Sequence, residues 1–399
     1  MKKALLPILI IIGLLCGCST GNLGKTKLTL AVVSPAGVAS KALATTVTAF
    51  NKSNSEYKIS LVIFDSPDQL NQEIIEGNIP DIIEVETALP FESFAAKGLF
   101  EDLNPYFEDD PGVSLVPAIH RILSTGDKLY RAATDFMAFS IIGISDFVGA
   151  EPGWTSEEIT QYLANAPEGA TIFPAHWEKA GTLLWLLYPN TDEFIDRESG
   201  KVLFDTPDFK NFLELVNDIP ENSSEYQEDD SLVLEGKQLV TLANYSEVAG
   251  IAYADNLFGG KLVHKGIPSS NKNSGTIYLG CTLAMTTACT DKAGAWDFIR
   301  TALLTAGSPE KIPAVQSRLD LAVQAAMTEP WHDFPPMTPE QYEKFLDYLD
   351  GIEMPGSTPP KLKEILEQEL PAYFAGEKTV DEVCKIIQSR AQIYVGEQS

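Results

Sequence analysis

The chain has 399 residues, enough for roughly two or three domains, and 44% of them are hydrophobic, so sizeable apolar cores can form. Its 29 basic residues stand against 56 acidic ones, which gives a formal net charge of −27. This charge argues against nucleic acid and anionic lipid surfaces as partners. Solubility outside the cell explains the charge more simply than a specifically cationic ligand does.

The first residues have the pattern of an export signal. A basic pair at positions 2 and 3 precedes the apolar run 5–15, which is too short for a membrane span of about 20 residues. The run ends at Leu15-Cys16-Gly17-Cys18 and resembles a bacterial lipobox. The resemblance implies residues 1–18 as signal peptide, a diacylglyceryl group on Cys18 as the first mature residue, and anchoring to a membrane by the lipid. A plain secretory signal is the alternative, and Cys16 is the less favoured acceptor.

The small polar residues 19–27 predict a flexible tether, and an alternation of strands and helices follows. The strand–helix order is typical of a parallel sheet, in which the carboxyl ends of the strands meet at one edge. The loops at Ser34 and Glu86 are therefore expected at the same edge. Ser66, Pro67, Gln69 and Gly77 mark the start and the end of one helix. The predicted elements are strand 28–33, helix 40–50, strand 57–64, helix 67–76 and strand 81–85.

The rest of the chain mixes strands and helices and becomes helical towards its end. Residues 128–144 are rich in strand-forming side chains, and capping boxes begin at Thr338 and Thr379. An aromatic residue, Tyr245, follows a predicted buried strand. The predicted elements are helices 156–165 and 176–188, hairpin 194–204, helix 207–217, strand 238–243, return segments 262–268 and 280–287, and helices 292–304 and 380–394.

Two motifs in this order resemble the sugar class of extracellular solute-binding proteins of ABC transporters. They are Gly77-Asn78-Ile79-Pro80-Asp81-Ile82-Ile83 and Lys97-Gly98-Leu99-Phe100-Glu101-Asp102-Leu103. Segment 292–299 and the closing stretch 376–394 are similar to the same family, so the resemblance extends from residue 15 to about 395. It implies an α/β fold of the periplasmic-binding-protein-like type II, with two α/β lobes, a hinge and a helical C-terminus. The expected lobes are 28–138 plus 260–312, and 139–259 plus 313–399.

Catalytic and metal-binding patterns are missing from the sequence. It contains no phosphate loop, no zinc-protease helix and no Cys-x-x-Cys pair, and its four histidines are scattered. We therefore expect no enzyme, no cofactor and no metal. Cys281 and Cys289 are expected at opposite ends of one strand, about 26 Å apart, which is too far for a disulfide. If Cys18 is acylated, three cysteines remain, Cys281, Cys289 and Cys384, and at least one of their thiols is unpaired.

The remaining activity is the binding of a small molecule. Sugar sites combine aromatic rings, which cover the apolar faces of the sugar, with carboxylates and amides that bind hydroxyl groups. For Tyr245 the family adds an argument, because it places an aromatic residue at this strand end. Trp185 and Trp296 lie in helical apolar stripes and are expected in the core. The candidate ligand-binding residues, all at predicted loops or strand ends, are Ser34, Glu86, Thr87, Trp177, Tyr245 and Trp331.

The resemblance implies a monomeric substrate-binding lipoprotein of an ABC importer. It would bind a sugar or oligosaccharide between its lobes, close by a hinge motion and dock on the permease subunits, on the outer side of the cytoplasmic membrane. The residues alone leave peptides, glycosides and polyamines open as ligands. Two other functions also stay open, a surface glycan-binding lipoprotein without a transporter and, less favoured, an enzyme on the same fold.

Overall fold

The computed structural model describes residues 24–85, 89–188, 190–196, 199–219, 230–308, 310–353 and 359–398. The strands are β1 (Thr26–Val33), β2 (Tyr57–Phe64), β3 (Ile82–Glu84), β4 (Ser124–Thr125), β5 (Lys128–Leu129), β6 (Ala132–Ala133), β7 (Asp135–Ile144), β8 (Ile195–Asp196), β9 (Lys201–Val202), β10 (Val240–Tyr245), β11 (Leu262–His264), β12 (Gly275–Leu279), β13 (Thr282–Met285), β14 (Ile312–Pro313) and β15 (Ile352–Glu353).

The helices lie between these strands and form most of the C-terminal part. They are α1 (Lys41–Ser53), α2 (Pro67–Glu76), α3 (Phe91–Ala96), α4 (Asn104–Asp109), α5 (Pro117–Leu123), α6 (Ser145–Val148), α7 (Ser156–Ala164), α8 (Lys179–Leu187), α9 (Thr191–Phe194), α10 (Pro207–Asn217), α11 (Asp230–Leu234), α12 (Val248–Leu257), α13 (Lys292–Thr305), α14 (Gln316–Thr328), α15 (Pro339–Asp350), α16 (Pro360–Phe374) and α17 (Val380–Gln398).

The first sheet has the strand order β2-β1-β3-β13-β6. Strands β1, β2 and β3 are parallel, as the alternation of strands and helices predicts, and β13 joins β3 in antiparallel orientation. The carboxyl ends of β1 and β3 therefore lie at one edge of this sheet, which we call the loop edge.

The second sheet is built around β7, which is ten residues long. Strands β10, β11, β12 and β14 all pair with β7 in antiparallel orientation, and β15 extends the sheet beyond β12. The residues of β7 are buried or nearly so, as expected for a strand with neighbours on both sides. This strand follows directly on β6 of the first sheet, so the two sheets are joined by continuous chain.

Local capping explains why several helices begin where the sequence predicts. In α2 the Ser66 hydroxyl accepts a hydrogen bond from the backbone N–H of Gln69 at 3.4 Å, and Gly77 ends the helix with a φ of 91°. The Gln69 side chain, however, accepts from the N–H of Asp65 and not from that of Ser66. The capping box expected at Thr338 forms completely in α15.

Three clusters of buried side chains stabilise the fold. The first lies under the first sheet and continues along one face of the second, from Leu28 through Phe136 to Tyr348. The second joins helices α7, α8, α10, α16 and α17 to the opposite face of the second sheet. The third fills the other face of the first sheet, around Leu70 and Phe94. Each large side chain buried in this way contributes about 1.5–3 kcal/mol.

Some predicted element bounds differ from those observed. Strand β10 covers 240–245 and not 238–243, so Tyr245 lies within the strand. The segment predicted at 280–287 begins just after the end of β12 at residue 279 and contains the short strand β13. Cys281 therefore precedes β13 and Cys289 lies beyond it, and both thiols are free, as is that of Cys384.

None of the helices in the described ranges combines the length and the apolar composition that crossing a bilayer requires. The predicted signal peptide, Cys18 and most of the tether lie outside the described residues, and so do Glu86 and Thr87.

Candidate binding cleft

One face of the second sheet is only partly covered. The alternation of side chains along β10 places Val240, Leu242 and Asn244 on this face, and the register sets Leu242 opposite Ile141 and Asn244 opposite Phe139. Val240 and Ile141 are buried under the helices of the second cluster. Leu242, two residues beyond Val240 on the same face, is 42% exposed. The cover therefore ends in the middle of the sheet and leaves its end near the first sheet open.

Tyr278 of β12 lies on the same open face. It pairs with Met137 of β7, is 41% exposed, and meets the ring of Phe139 edge to face at 4.9 Å between centroids. Partial burial raises the pKa of Tyr278, and nearby Tyr188 raises it further, so the end of α8 lies close to this face. We call Met137, Phe139, Leu242, Asn244 and Tyr278 the aromatic face.

Two tryptophans pack together near the start of α8. Trp177 lies just before the helix and is half-buried, with its ring stacked on that of Phe173 at 5.4 Å. Trp185 meets Trp177 edge to face at 5.6 Å and is also half-buried, although the sequence predicts it in the core. Both indoles thus cover the second core cluster with one side and remain partly open on the other.

The loop edge of the first sheet is joined to the aromatic face by a short segment. From Tyr278 the chain runs through Cys281 to Thr282, whose carbonyl accepts a hydrogen bond from the N–H of Val85 at 2.7 Å. Four residues span at most about 14 Å. Tyr278 and Val85, the residue just after β3, therefore lie close together, at the edge where parallel strands are expected to end at a ligand site.

The residues of the loop edge are polar. Ser34, the first residue after β1, is half-buried, and its N–H donates to the carbonyl of Phe64 at 2.8 Å. Glu84 accepts a hydrogen bond from the Cys281 thiol, and burial and this carboxylate together raise the pKa of the thiol well above its usual range. Ser34 is thus at the loop edge, as predicted, whereas the positions of Glu86 and Thr87 stay predictions.

Tyr245 is on the opposite face of β10 and is only 2% exposed. Its hydroxyl is hydrogen-bonded to Nε2 of His264 at 2.9 Å, and its ring meets that of Tyr348 at 5.7 Å. Burial lowers the pKa of His264 to about 3, with Lys344 adding to the effect, so the imidazole is neutral. In this arrangement the Tyr245 ring lies behind other side chains, and a direct contact with ligand stays a prediction that requires them to move.

Trp331 belongs to a tight turn near the end of β10. Its Nε1 donates to the carboxylate of Glu247 at 3.2 Å, and its ring meets that of Tyr253 edge to face. Trp331 and Phe334 exchange backbone hydrogen bonds, and between them His332 has a φ of 52°, a strained value for a residue with a side chain. Glu247 follows β10 by two residues, so Trp331 is fixed beside the end of this strand, and its contact with a ligand stays a prediction.

Sequence reasoning missed the residues that form the centre of the aromatic face. Phe139 and Tyr278 are in strands whose pairing was not predicted, and Leu242 was assigned only to a buried strand. The alternation in Val240-Thr241-Leu242-Ala243-Asn244-Tyr245 was a usable signal, because it separates Leu242 and Asn244 from Tyr245.

In the parts of the chain that the structure describes, no three His, Cys, Asp or Glu side chains converge in a way that would hold a metal ion. The chemistry that remains at the cleft is that of exposed rings, hydroxyls, an amide and carboxylates. Such a set can stack on an apolar surface of a ligand and exchange hydrogen bonds with it.

Comparisons with known proteins agree with this description. A family model described as bacterial extracellular solute-binding protein matches residues 45–312. Among solved structures, an extracellular solute-binding protein family 1 from Alicyclobacillus acidocaldarius has a TM-score of 0.58 at 13% identity, covering 93% of this chain and 99% of that one. A search of curated proteins found no match.

Two further structures share the fold. The sugar-binding protein MalE from Xanthomonas citri has a TM-score of 0.55 at 14% identity and covers 94% of this chain and 98% of its own. The cyclic alpha-maltosyl-1,6-maltose binding protein from Arthrobacter globiformis has a TM-score of 0.51 at 14% identity, covering 94% and 100%. At these identities the likeness concerns the fold, and it confirms the predicted periplasmic-binding-protein-like architecture.

The fold and the matching family model define a protein that binds a solute. The chain belongs to the bacterial extracellular solute-binding protein family, since the family model matches more than half of it. Its role is therefore to bind a solute outside the cytoplasm, in an extracellular or periplasmic location.

Proposed function

We propose that this protein is the substrate-binding lipoprotein of an ABC importer and that its ligand is a carbohydrate. The observation that carries the proposal is the aromatic face, where Tyr278 and Phe139 present partly exposed rings at the end of the sheet nearest the first sheet. Aromatic rings at a concave site suit the apolar faces of sugar rings. Asn244 on the same face and Ser34 at the loop edge supply groups that bind hydroxyls.

The structural neighbours support the same class of ligand. Two of them are described as binding sugar or a cyclic maltosaccharide, and both cover nearly the whole length of this chain. Peptides and polyamines are less favoured, because the five residues of the aromatic face include no carboxylate and Glu84 at the loop edge already accepts a hydrogen bond from the Cys281 thiol.

A thermal-shift screen tests the ligand class. We expect the soluble domain, residues 24–399, to be stabilised by a mono- or oligosaccharide and not by amino acids, peptides or polyamines. A ligand at 100 times its dissociation constant adds about 2.7 kcal/mol to the free energy of unfolding. A shift with a polyamine or peptide alone would contradict the carbohydrate proposal and leave the fold assignment intact.

A pair of leucine variants tests the location of the site. Leu242 is in the aromatic face, whereas Leu321 on α14 is 66% exposed and belongs to a different surface. We expect Leu242→Ala to weaken binding of the stabilising sugar and Leu321→Ala to leave it unchanged. Equal affinities for the two variants would place the sugar elsewhere.

The lipid anchor, the two lobes and the permease complete the proposal. Mass spectrometry of the exported protein should show diacylglyceryl modification of Cys18, and Cys18→Ala should release the protein from the membrane. Small-angle scattering should show a monomer whose radius of gyration decreases when sugar is added, because the lobes 28–138 plus 260–312 and 139–259 plus 313–399 close on the ligand. Co-purification with permease subunits in the presence of that sugar would support delivery to a transporter.

A further inference from the structure

Three segments of the chain pass between the two sheets. The first runs from β6 to β7 through Thr134, the second from β12 to β13 through Gly280, and the third from α13 to β14 past Ser308. These segments, 133–135, 279–282 and the described residues 306–308 and 310–314, are far apart in the sequence and adjacent in space. We call them the crossing segments.

Backbone hydrogen bonds connect the crossing segments to one another. The N–H of Gly280 donates to the carbonyl of Asp135 at 2.7 Å, and the N–H of Thr134 donates to the carbonyl of Cys281 at 3.0 Å. From the third segment, the N–H of Ala314 donates to the carbonyl of Thr134 at 3.2 Å. Thr134 and Asp135 thus touch both other segments.

The side chain of Asp135 adds a second set of contacts at this point. It is 3% exposed, and its Oδ2 accepts from the Thr134 hydroxyl at 2.9 Å and from the N–H of Ser308 at 3.1 Å. Its Oδ1 approaches Gly280 so closely that a Cβ there would lie 1.9 Å away. The carboxylate therefore contacts all three crossing segments, and only glycine fits at position 280.

The other carboxylate oxygen of Asp135 has different surroundings. Oδ1 is buried without a hydrogen-bond partner among the described residues, and the nearest cation is Lys311 of the third segment, with Nζ 3.7 Å away. A buried charge is costly unless it is closely paired, and removing one partner of such a pair is more costly still. Asp135 and Lys311 belong to different crossing segments, so a shift of one segment against the other would change the distance between Oδ1 and Nζ.

We propose that the Asp135 carboxylate holds the three crossing segments together as one hinge, and that its Oδ1 binds Lys311 more closely when the cleft closes. Asp135 is then a positioning residue for ligand binding, without touching the ligand. Leu242 and Tyr278 of the aromatic face are 42% and 41% exposed in this structure, and we take this arrangement as the open one. The ligand-binding consequence rests on the proposed function, whereas the mechanical one does not.

The mechanical part is tested without ligand by amide hydrogen exchange of Asp135→Ala. We expect faster exchange in all three crossing segments, including Thr134, Gly280 and Ala314, whose own acceptors are main-chain carbonyls that the substitution leaves in place. Asp255→Ala is the matched control, since Asp255 is also a buried carboxylate paired with a lysine, Lys344. Faster exchange at Ser308 alone, or the same pattern in the control, would overturn the hinge.

The binding part is tested with Asp135→Asn, which keeps the size of the side chain and leaves an oxygen for Thr134 and Ser308. Lys311→Met removes the partner from the other side. With maltotriose as probe, or the sugar of the screen that gives the largest shift, we expect both variants to raise the dissociation constant about fivefold or more. The double variant should bind the sugar as tightly as each single variant, because each single substitution already removes the Asp135–Lys311 pair.

The outcomes separate the two proposals. Dissociation constants of both variants within about twofold of the wild-type value would overturn the role of Asp135 in closure, since typical couplings are larger. If the wild-type protein binds no sugar at all, the carbohydrate proposal fails, and the exchange measurement alone then decides on the hinge.

Discussion

Tyr278 and Tyr245 are both in strands that pair with β7, but their side chains point to opposite faces of the sheet. Tyr278 is partly exposed at the cleft, and Tyr245 is hydrogen-bonded to a neutral histidine inside the core. The residue type alone does not distinguish them. The position of each residue in the alternation of its strand does, because neighbouring side chains in a strand point in opposite directions.

Substitution of Tyr278 should therefore affect ligand binding more than stability. We expect Tyr278→Ala to weaken binding of the stabilising sugar about fivefold to tenfold, as the loss of one aromatic contact of about 1–1.4 kcal/mol predicts. Isothermal titration calorimetry measures the change. Tyr278→Phe, which keeps the ring, should retain most of the affinity, and an equal loss in both variants would show that the hydroxyl, not the ring face, matters.

Lys265 makes the stability of the protein depend on pH. The side chain is 1% exposed, and its ammonium group donates to the carbonyls of Glu151 and Gly153 and lies 5.2 Å from the ring centre of Tyr162. Burial lowers the pKa of Lys265 to about 8. Below this pH the folded and the unfolded chain both carry the charge, so the folded state bears the full cost of burying it.

As the pH rises from 8 to about 10.4, the folded protein loses the Lys265 proton before the unfolded chain does. The unfolded state then binds more protons, so stability increases with pH. We expect the free energy of unfolding of the wild-type protein to rise relative to Lys265→Met by about 3 kcal/mol across this window, measured by urea unfolding at several pH values.

Lys272→Met is the control for the lysine prediction. Its hydrogen bond to Glu158 raises the pKa of Lys272, so its contribution is present at neutral pH and is lost only as the pH rises through that higher pKa. The free energy of unfolding of the wild type should therefore rise with pH relative to Lys265→Met and fall with pH relative to Lys272→Met. A pH-independent difference between wild type and Lys265→Met would contradict the buried charge.

At the scale of helices and strands, predicted and observed bounds agree best where local sequence signals mark the ends of an element. The bounds of β2, α2 and α10 agree with the predicted ones, because proline at the first helical position and Ser66 or Thr206 before it mark the helix starts. The predicted bounds of β10 were two residues too early, and β12 was not predicted. Their ends are determined by pairing with β7, about 100 residues or more away in the sequence, which no local pattern encodes.

The cap of α15 is a direct test of such a signal. The Thr338 hydroxyl accepts from the N–H of Gln341, whose side chain accepts from the N–H of Thr338. We expect Thr338→Ala to lower the free energy of unfolding by about 1 kcal/mol in urea titrations. Thr328→Ala, at the exposed end of α14, should change it by less than about 0.5 kcal/mol. Similar effects of both substitutions on the free energy of unfolding would mean that the Thr338 cap stabilises the protein no more than an exposed threonine does.

The candidate site was predictable in part for the same reason. Ser34 follows a strand whose end the sequence marks clearly, and it is at the loop edge. The aromatic face depends on how far α8 and its neighbours extend over the second sheet, so Leu242 is exposed while Val240, two residues earlier, is buried. That difference arises from packing between distant parts of the chain and has no counterpart in composition or periodicity.

For the molecule as a whole, the net charge of −27 opposes compaction. We expect the melting temperature to rise as sodium chloride is increased from about 10 mM to 300 mM, over which the Debye length falls from about 30 Å to below 8 Å. Potassium chloride at the same ionic strength should have the same effect, because screening does not depend on the identity of the cation. A melting temperature independent of salt would mean that repulsion between the acidic side chains is not significant.

The position of β13 in the first sheet has a consequence for how the protein folds. Strands β1, β2 and β3 lie within the first 84 residues, but β13, which pairs with both β3 and β6, is at 282–285. The sheet therefore stays incomplete until about 200 further residues have been synthesised. Such distant pairing delays folding, because a long loop must close before the contacts form. A chain whose first sheet depends on a late strand remains unfolded for much of its synthesis, a state in which a polypeptide can be threaded across a membrane.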